Sequence, residues 1–310
     1  MPCKKCVESP VIKLSNSEIS LCKSCFIKYF ERKVLKTIRT YKLIGKNDHI
    51  GVAASGGKDS TTVLYLLNKI IRERKNVKLT AIAIDEGIKG YRDVSLEFLK
   101  KFCSENKIEL KIFSYENNFG KPLDSILDAN KDIIPCSVCG VFRRYLLNKN
   151  SKELGFTKLA TGHNMDDESQ TILMNYFRNN VRISARLGPI NGVLNNPNFI
   201  KRVKPLYFVS EKEVTTYSYL KGFMDKYMEC PHDAQSYRGQ IRDFINDFES
   251  KYPGTKHGII TSFLEILPLL KNNTDYKKDM MECSLCGEPS SKEICQACNY
   301  AETIVKKVNK

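Results

Sequence analysis

Ten of the twelve cysteines stand in Cys-x-x-Cys pairs, and the spacing of those pairs decides what they could do. Cys3/Cys6 and Cys22/Cys25 form one double pair, and Cys283/Cys286 and Cys295/Cys298 form another. Two intervening residues let both thiolates of a knuckle reach one tetrahedral ion, and a second knuckle completes the coordination. Each set has zinc-ribbon spacing, so two Zn2+ are expected. The plainer alternative is four unconnected surface thiols at each end.

Three more cysteines belong to neither set. Cys136-Ser137-Val138-Cys139 follows Pro135, and Cys230 precedes Pro231. Taken alone, this pair suits zinc, an iron–sulfur cluster or a redox dithiol. His232, two residues past Cys230, keeps a closed Cys3His zinc site open as a reading, and bare persulfide-forming thiols are a third. Cys103 has no such partner and reads as a small buried hydrophobe.

A second chemistry lies at Ser55-Gly56-Gly57-Lys58-Asp59-Ser60, where an apolar run ends and a helical pattern begins. Backbone N–H groups at such a junction face an anion, and glycine allows the close approach. A Walker A loop would need Ser or Thr after the lysine, and here Asp59 follows. The hexapeptide instead resembles the pyrophosphate loop of the PP-loop ATPases. That resemblance implies cleavage of ATP between its α and β phosphates to leave AMP on an oxygen. Lys58 and Ser60 would then hold the departing pyrophosphate, with Mg2+ bridging its oxygens.

These residues need a frame, and the sequence supplies one. Phe26 to Ile44 has helical spacing of apolar residues; strands are expected at His49–Ala54, Leu79–Ile84, Glu109–Phe113 and Lys158–Thr161, and helices at Thr61–Arg72 and Val94–Cys103. That alternation means βαβ units and an α/β, doubly wound parallel sheet with helices on both faces. Asp85, at the end of the second strand, falls where such sheets recognise nucleotides. Residues beyond Glu211 read as mostly helical through Leu270, with Lys271–Lys278 as a polar connector. The expected division is a ribbon over 1–28, a central domain over 29–270 and a ribbon over 271–310.

The 310 residues carry 50 Lys and Arg against 35 Asp and Glu, a formal +15. Zinc bound by eight thiolates lowers this to about +11. A polyanionic partner suits such a chain better than a small neutral substrate. With 42% hydrophobic and 27% charged residues the composition is ordinary globular, which excludes collagen-like, low-complexity and membrane classes. The opening Met1-Pro2-Cys3-Lys4 has no apolar leader, so a cytoplasmic location is expected, where reducing conditions favour metal or sulfur chemistry over disulfides.

Together these residues resemble the archaeal and eukaryotic cytosolic tRNA 2-thiolation enzymes, the NcsA/TtuA group. The resemblance rests on both four-cysteine sets, the Ser55–Ser60 loop, Ile84-Asp85-Glu86-Gly87-Ile88 with Gly90-Tyr91-Arg92-Asp93, Cys136–Gly140 with Arg143-Arg144, Ala160–Glu168, Arg202–Leu206, and Cys230. It implies a PP-loop fold, flanked by zinc ribbons, that replaces the C2 oxygen of a tRNA uridine with sulfur. ATP would sit on Ala53, Ser55, Gly56, Gly57, Lys58, Asp59, Ser60, Ile84, Asp85 and Gly162. Cys136, Cys139 and Cys230 would hold a 4Fe-4S cluster with one iron open to an incoming sulfur that attacks the adenylated C2. Lys58, Asp59, Arg143 and Asp167 would be catalytic, with Asp167 a proton acceptor or magnesium ligand. Arg143 replaces the lysine of the TtuA branch, which favours the wobble uridine.

The implied partners are tRNA and a sulfur donor, either inorganic sulfide or the thiocarboxylate of a ubiquitin-like carrier, with no membrane and a homodimer as one candidate assembly. Rival readings are a different RNA-adenylating PP-loop enzyme and an ATP-sensing zinc-ribbon RNA-binding module. Arg202 and Lys204 read as solvated charges or phosphate contacts. His163 reads as a loop residue capping a helix near Asn164, with catalysis as the alternative, and Tyr237–Arg242 as the opening of a helix whose basic pair could equally bind RNA backbone.

Overall fold

The computed structural model describes residues 2–15, 17, 19–191, 198–224, 228, 230–232, 237–272 and 281–306. A short hairpin, β1 (Ile12–Lys13) with β2 (Ser20–Leu21), starts the chain. Helix α1 (Lys23–Thr40) begins inside the first ribbon, with Cys25 in its first turn. Phe26, Phe30, Val34 and Ile38 are its buried stripe. Each such side chain contributes about 1.5–3 kcal/mol on burial.

The expected alternation follows: β3 (His49–Ala53), α2 (Lys58–Ile71), β4 (Lys78–Asp85), α3 (Arg92–Glu105) and β5 (Glu109–Ser114). Helix α2 starts three residues earlier than its apolar periodicity suggests, because Lys58, Asp59 and Ser60 form its first turn. Short helices α4 (Tyr115–Phe119) and α5 (Leu123–Asp128) lead to α6 (Pro135–Glu153), which carries Cys136 in its first turn and Cys139 at the start of its second, with Pro135 opening it. Proline suits that position because its missing N–H has no partner to lose there.

Next come β6 (Lys158–Ala160), α7 (Met165–Phe177), α8 (Val181–Ser184), β7 (Lys201–Val203) and α9 (Glu211–Leu220). Helices α10 (Tyr237–Lys251) and α11 (Thr255–Asn272) match the helical reading of this stretch, and Tyr237 does open a helix. Most of the expected connector lies outside the described residues. The second ribbon holds β8 (Met281–Glu282), β9 (Pro289–Ser290) and α12 (Gln296–Tyr300).

All five strands of the central sheet are parallel, in the order β5-β4-β3-β6-β7. The order reverses at β3, where β4 lies on one side and β6 on the other, and ligands bind beyond the carboxyl ends of strands at such a switch. Along β4, Ala81 and Ala83 pack into one core with α1, α2 and α3, while Ile82 and Ile84 pack into another with α6. Period-two alternation of apolar residues on both faces is what a sheet covered twice requires. Cys3 and Cys22 belong to the first core, and Cys283 and Cys295 to the second. The two ribbons therefore sit on opposite faces of the sheet. A third cluster joins Met165 and Ile172 of α7 to Ile260, Phe263 and Leu267 of α11. Among the described residues no helix is long and apolar enough to cross a membrane.

Candidate active site

The phosphate loop occupies the turn from β3 into α2. Gly56 has φ +82, and a Cβ there would stand 2.4 Å from the Ser95 carbonyl oxygen, so only glycine fits both the backbone and the space. Ser60 Oγ accepts from the Ser55 N–H at 3.1 Å and donates to the Gly57 carbonyl at 3.1 Å, closing the loop on itself. Lys58 Nζ lies 2.9 Å from Asp59 and 3.1 Å from Glu211. Burial works against its charge, but these two carboxylates outweigh it and raise the lysine above its ordinary range. The ammonium stays charged and available to phosphate.

Three neighbouring strands end beside this loop. Ala53 closes β3, Ile84 and Asp85 close β4, and Gly162 follows β6. Gly162 is required by close approach: a Cβ would fall 2.9 Å from the Ser60 nitrogen. Asp85 Oδ1 accepts from the Gly87 N–H at 2.9 Å, shaping the turn after its strand.

After β6 the chain enters α7 through a capping box in which Asn164 and Asp167 exchange backbone and side-chain bonds. The cap is thus Asn164, not His163, whose Nδ1 instead meets Thr161 Oγ1 at 2.9 Å. A short side-chain amide caps the orphan N–H groups better than an imidazole. Asn164 also donates from Nδ2 to Asp59 Oδ1 at 2.9 Å, tying the α7 entry to the phosphate loop. Burial pushes Asp167 up to about 7, helped by the nearby Asp59 charge and opposed by the Asn164 N–H and by Arg238. A carboxyl group with that value can take a proton near neutral pH.

Cys136, Cys139 and Cys230 gather at the head of α6. Cys139 is buried with the second core, Cys230 packs against that core, and exposed Cys136 donates from Sγ to the His232 carbonyl at 3.7 Å. The His232 ring faces Asp124 at 3.9 Å. Among the described residues these four side chains do not form a single-ion group, which disfavours the closed Cys3His zinc reading. A multi-iron cluster holds its thiolates farther apart than one ion does, so the trio still fits a cluster.

Arg143 joins the trio to the loop. Its Nη2 donates to Cys139 Sγ at 3.0 Å and its Nε contacts Glu86 Oε1 at 2.8 Å. Glu86, 1% exposed, also pairs with buried Arg92, whose Nη1 donates to the Ser55 carbonyl at 2.9 Å. A continuous chain of polar contacts thus runs from Ser55 through Arg92, Glu86 and Arg143 to Cys139. Sequence reasoning singled out Asp85 and missed its neighbour Glu86. The only signal was an acidic residue closing an apolar strand, with two later arginines it could pair.

The remaining candidates divide. Lys204 is buried and paired with Glu168 at 2.7 Å, so it is neither solvated nor a phosphate contact. Arg238 reaches the Asp167 carbonyl, Gln170 and Thr171 of α7. Cys103 is 2% exposed and burial pushes it up to about 11, as a packed hydrophobe should be.

Both terminal sets converge. The four sulfurs of Cys3, Cys6, Cys22 and Cys25 lie within 4.8 Å of one another, as do those of Cys283, Cys286, Cys295 and Cys298. Each set can surround one tetrahedral ion.

Residues 27–247 match the PP-loop domain family. The chain is 33% identical to the tRNA 2-thiolation protein NcsA of Haloferax volcanii, covering 98% of this chain and 99% of that protein. It is 36% identical to the tRNA-5-methyluridine(54) 2-sulfurtransferase of Pyrococcus horikoshii, covering 97% and 93%. The solved U34-tRNA thiolase NcsA of Methanococcus maripaludis, with its [4Fe-4S] cluster, superposes with a TM-score of 0.83 at 35% identity, covering 98% and 96%. With a phosphate loop, a cysteine trio and paired terminal knuckles all in one frame, the chain belongs to the PP-loop family, in its NcsA/TtuA group of tRNA 2-thiolation proteins.

Proposed function

We propose that this chain is an ATP-dependent tRNA-uridine 2-sulfurtransferase. The observation that supports the reading is the Ser55–Arg92–Glu86–Arg143–Cys139 chain of polar contacts, which joins the phosphate loop to the cysteine pair of α6. Neither an RNA-adenylating enzyme without sulfur chemistry nor an ATP sensor needs that adjacency.

In the proposed sequence the uridine O2 bonds to the α phosphorus as the bond to the β-phosphate bridging oxygen breaks. The loop N–H groups, Lys58 and Ser60 hold the departing pyrophosphate. Asp167 accepts the proton lost from N3, and Asn164 keeps Asp59 beside Lys58. Asp59 would hold Mg2+, which would supply charge neutralisation for the departing pyrophosphate. When held by Cys136, Cys139 and Cys230, an iron–sulfur cluster supplies an iron left open to sulfur. Arg143 orients Cys139 and offers a cation where AMP leaves. The outer segments, over 1–28 and 271–310, serve as zinc ribbons around the catalytic domain over 29–270.

The relatives divide between positions 34 and 54. Arg143, in place of lysine, supports the wobble uridine here. Inorganic sulfide and a ubiquitin-like thiocarboxylate carrier are the two donors to be compared. A cluster-independent persulfide route through the exposed Cys136 thiol would need a third donor class, one that already carries sulfane sulfur, because sulfide and thiocarboxylate are at the sulfide level. The test is tRNA-dependent release of AMP and pyrophosphate under anaerobic conditions, with 2-thiouridine located by nucleoside mass spectrometry. Product without AMP release would refute adenylation. Full activity of thoroughly iron-depleted protein would replace the cluster with the persulfide route.

A further inference from the structure

Helix α7 has two differently charged ends. Its first turn holds Asp166, Asp167 and Glu168, whereas from Ser169 through Ser210 the sequence has six Lys and Arg and not one Asp or Glu. Asp and Glu make up 35 of the 310 residues of the whole chain, so a run of this length that contributes positive charge only is unusual for this protein. Three of its arginines, Arg178, Arg182 and Arg186, follow α7 and surround α8. Helix α10, which packs on α7, brings its first acid only at Asp243. Beside these arginines Tyr176 and Phe177 are 43% and 59% exposed. Exposed rings set among cations are what a surface for unpaired nucleic acid needs.

The corner is fixed by printed contacts of its backbone and side chains. Asn179 takes the left-handed conformation, φ 52, and ends α7; its N–H donates to the Tyr176 carbonyl at 3.1 Å, and the Asn180 N–H to the Asn175 carbonyl at 2.8 Å. The exposed Arg178 guanidinium lies over the Tyr237 ring, 4.0 Å from its centroid. Tyr237 is held there through its neighbour, since Arg238 donates to Gln170 Oε1 at 3.2 Å and to Thr171 Oγ1 at 3.1 Å on α7. A guanidinium with a ring on one side offers its other side to a base.

We propose that Tyr176, Phe177 and Arg178 on Tyr237 form a platform on which unpaired bases next to the target uridine stack. The proposal rests on the tRNA-thiolation reading and adds to it the part of the strand that is held. Sulfur reaches C2 only from a face of the uracil ring, so the target base must leave its stack. Its neighbours then lack a stacking partner, which these side chains replace. From Asp167 to Phe177 is about 15 Å of one helix, which fixes the platform relative to the phosphate loop. A second copy of this chain is the poorer occupant, because a two-fold contact through this face would set arginines against arginines.

The experiment compares full-length wild type with Phe177→Ala, Tyr176→Ala and Phe177→Tyr. It measures affinity for tRNA across a salt series, affinity for fully paired RNA and for ATP, melting temperature, and mass in solution. Each alanine variant should bind tRNA about 5- to 150-fold more weakly, with the salt slope of wild type because no charge is removed. Phe177→Tyr should bind as wild type does. Affinity for paired RNA and for ATP should not change, and the exposed Phe177 should leave the melting temperature where it is. A 2-aminopurine beside the target uridine should be quenched on wild type and brighter on Phe177→Ala.

Alanine variants that bind tRNA as wild type does, with equal quenching, would overturn the platform. So would an equal loss on fully paired RNA, which has no free base to stack. Conversion of a wild-type dimer into monomers by Phe177→Ala would assign the face to a second copy and overturn it too. If wild type thiolates tRNA while the variants bind it equally, only the platform fails. If wild type neither binds nor thiolates tRNA, the underlying reading fails with it.

Discussion

The eight terminal cysteines and the three internal ones have different surroundings. In each ribbon four sulfurs crowd within 4.8 Å and their neighbours include backbone donors: the Cys295 N–H meets Cys283 Sγ at 3.2 Å, and the Cys298 N–H meets Cys295 Sγ at 3.4 Å. At the head of α6 the sulfurs are more dispersed, Cys136 is exposed, and Cys139 is attended by a guanidinium and by the buried hydroxyl of Tyr115, which donates to its carbonyl at 2.7 Å. Four convergent thiolates complete a tetrahedral ion and leave nothing open, which suits a site that holds a fold. Three cysteines that do not converge on a single ion, one of them hydrogen-bonded by a guanidinium, suit a site that reacts.

Substitutions can break or sharpen this contrast. The largest effect is expected from Cys139→Ser, which should abolish sulfur transfer and the broad visible absorption of anaerobic protein while both zinc ions remain. Retained absorption and activity would erase the distinction between the two kinds of site.

Asp167→Asn comes next, with a loss of about 10²–10⁴ in the adenylation rate, the usual value of a positioned base. The wild-type rate should climb with pH through about 7, where Asp167 ionises, and the variant should lose that limb. Because the folded value lies above the ordinary carboxylate value, the folded state binds the extra proton between about pH 4 and 7. Asp167 therefore makes the wild type lose stability as pH rises through that window. Urea titrations of the two proteins at pH 4.5 and 7.5 should show the variant gaining relative to wild type at the higher pH; no difference would count against the raised value.

Glu86→Gln should lower thiolation about 10- to 100-fold, as loss of a group that orients a metal ligand does. Its readout apart from activity is the alkylation rate of Cys139 in iron-free protein, which should change once Arg143 is released. Unaltered alkylation would show that Arg143 does not need Glu86.

Cys286→Ser should affect chemistry least. One zinc equivalent should be lost and the other kept, with adenylation by the folded fraction unchanged. Apparent zinc binding worth about 10 kcal/mol or more underlies such ribbons, so local unfolding of residues 281–306 should appear in hydrogen exchange. Loss of both ions would mean that the two ribbons are coupled across the sheet.

Much of this was legible before the fold was known because it is written in local spacing. The cysteine knuckles, the Ser55–Ser60 loop and the β3–α2–β4–α3–β5 rhythm each depend on residues close together in the chain. What escaped depends on distant contacts. Asp85 and Glu86 are adjacent and equally acidic, yet one caps a turn and the other anchors two arginines six and fifty-seven residues away. Lys204 looked solvated because its partner Glu168 lies on another element. Nor could spacing say that the ribbons would cover opposite faces, which follows from Cys3 and Cys22 packing into one core and Cys283 and Cys295 into the other.

That Cys230 stands roughly ninety residues after Cys139 has a consequence for biogenesis. At about 5–20 residues per second, a ribosome needs roughly 5–20 s to make the intervening chain. Throughout that interval a nascent polypeptide has made Cys136 and Cys139 but not the third thiol. The four N-terminal cysteines proposed as zinc ligands all precede residue 26 and are available during translation. On the proposed ligand assignment, loading of the internal trio waits until synthesis has passed Cys230, and pulse-labelled protein should acquire its first zinc before any iron.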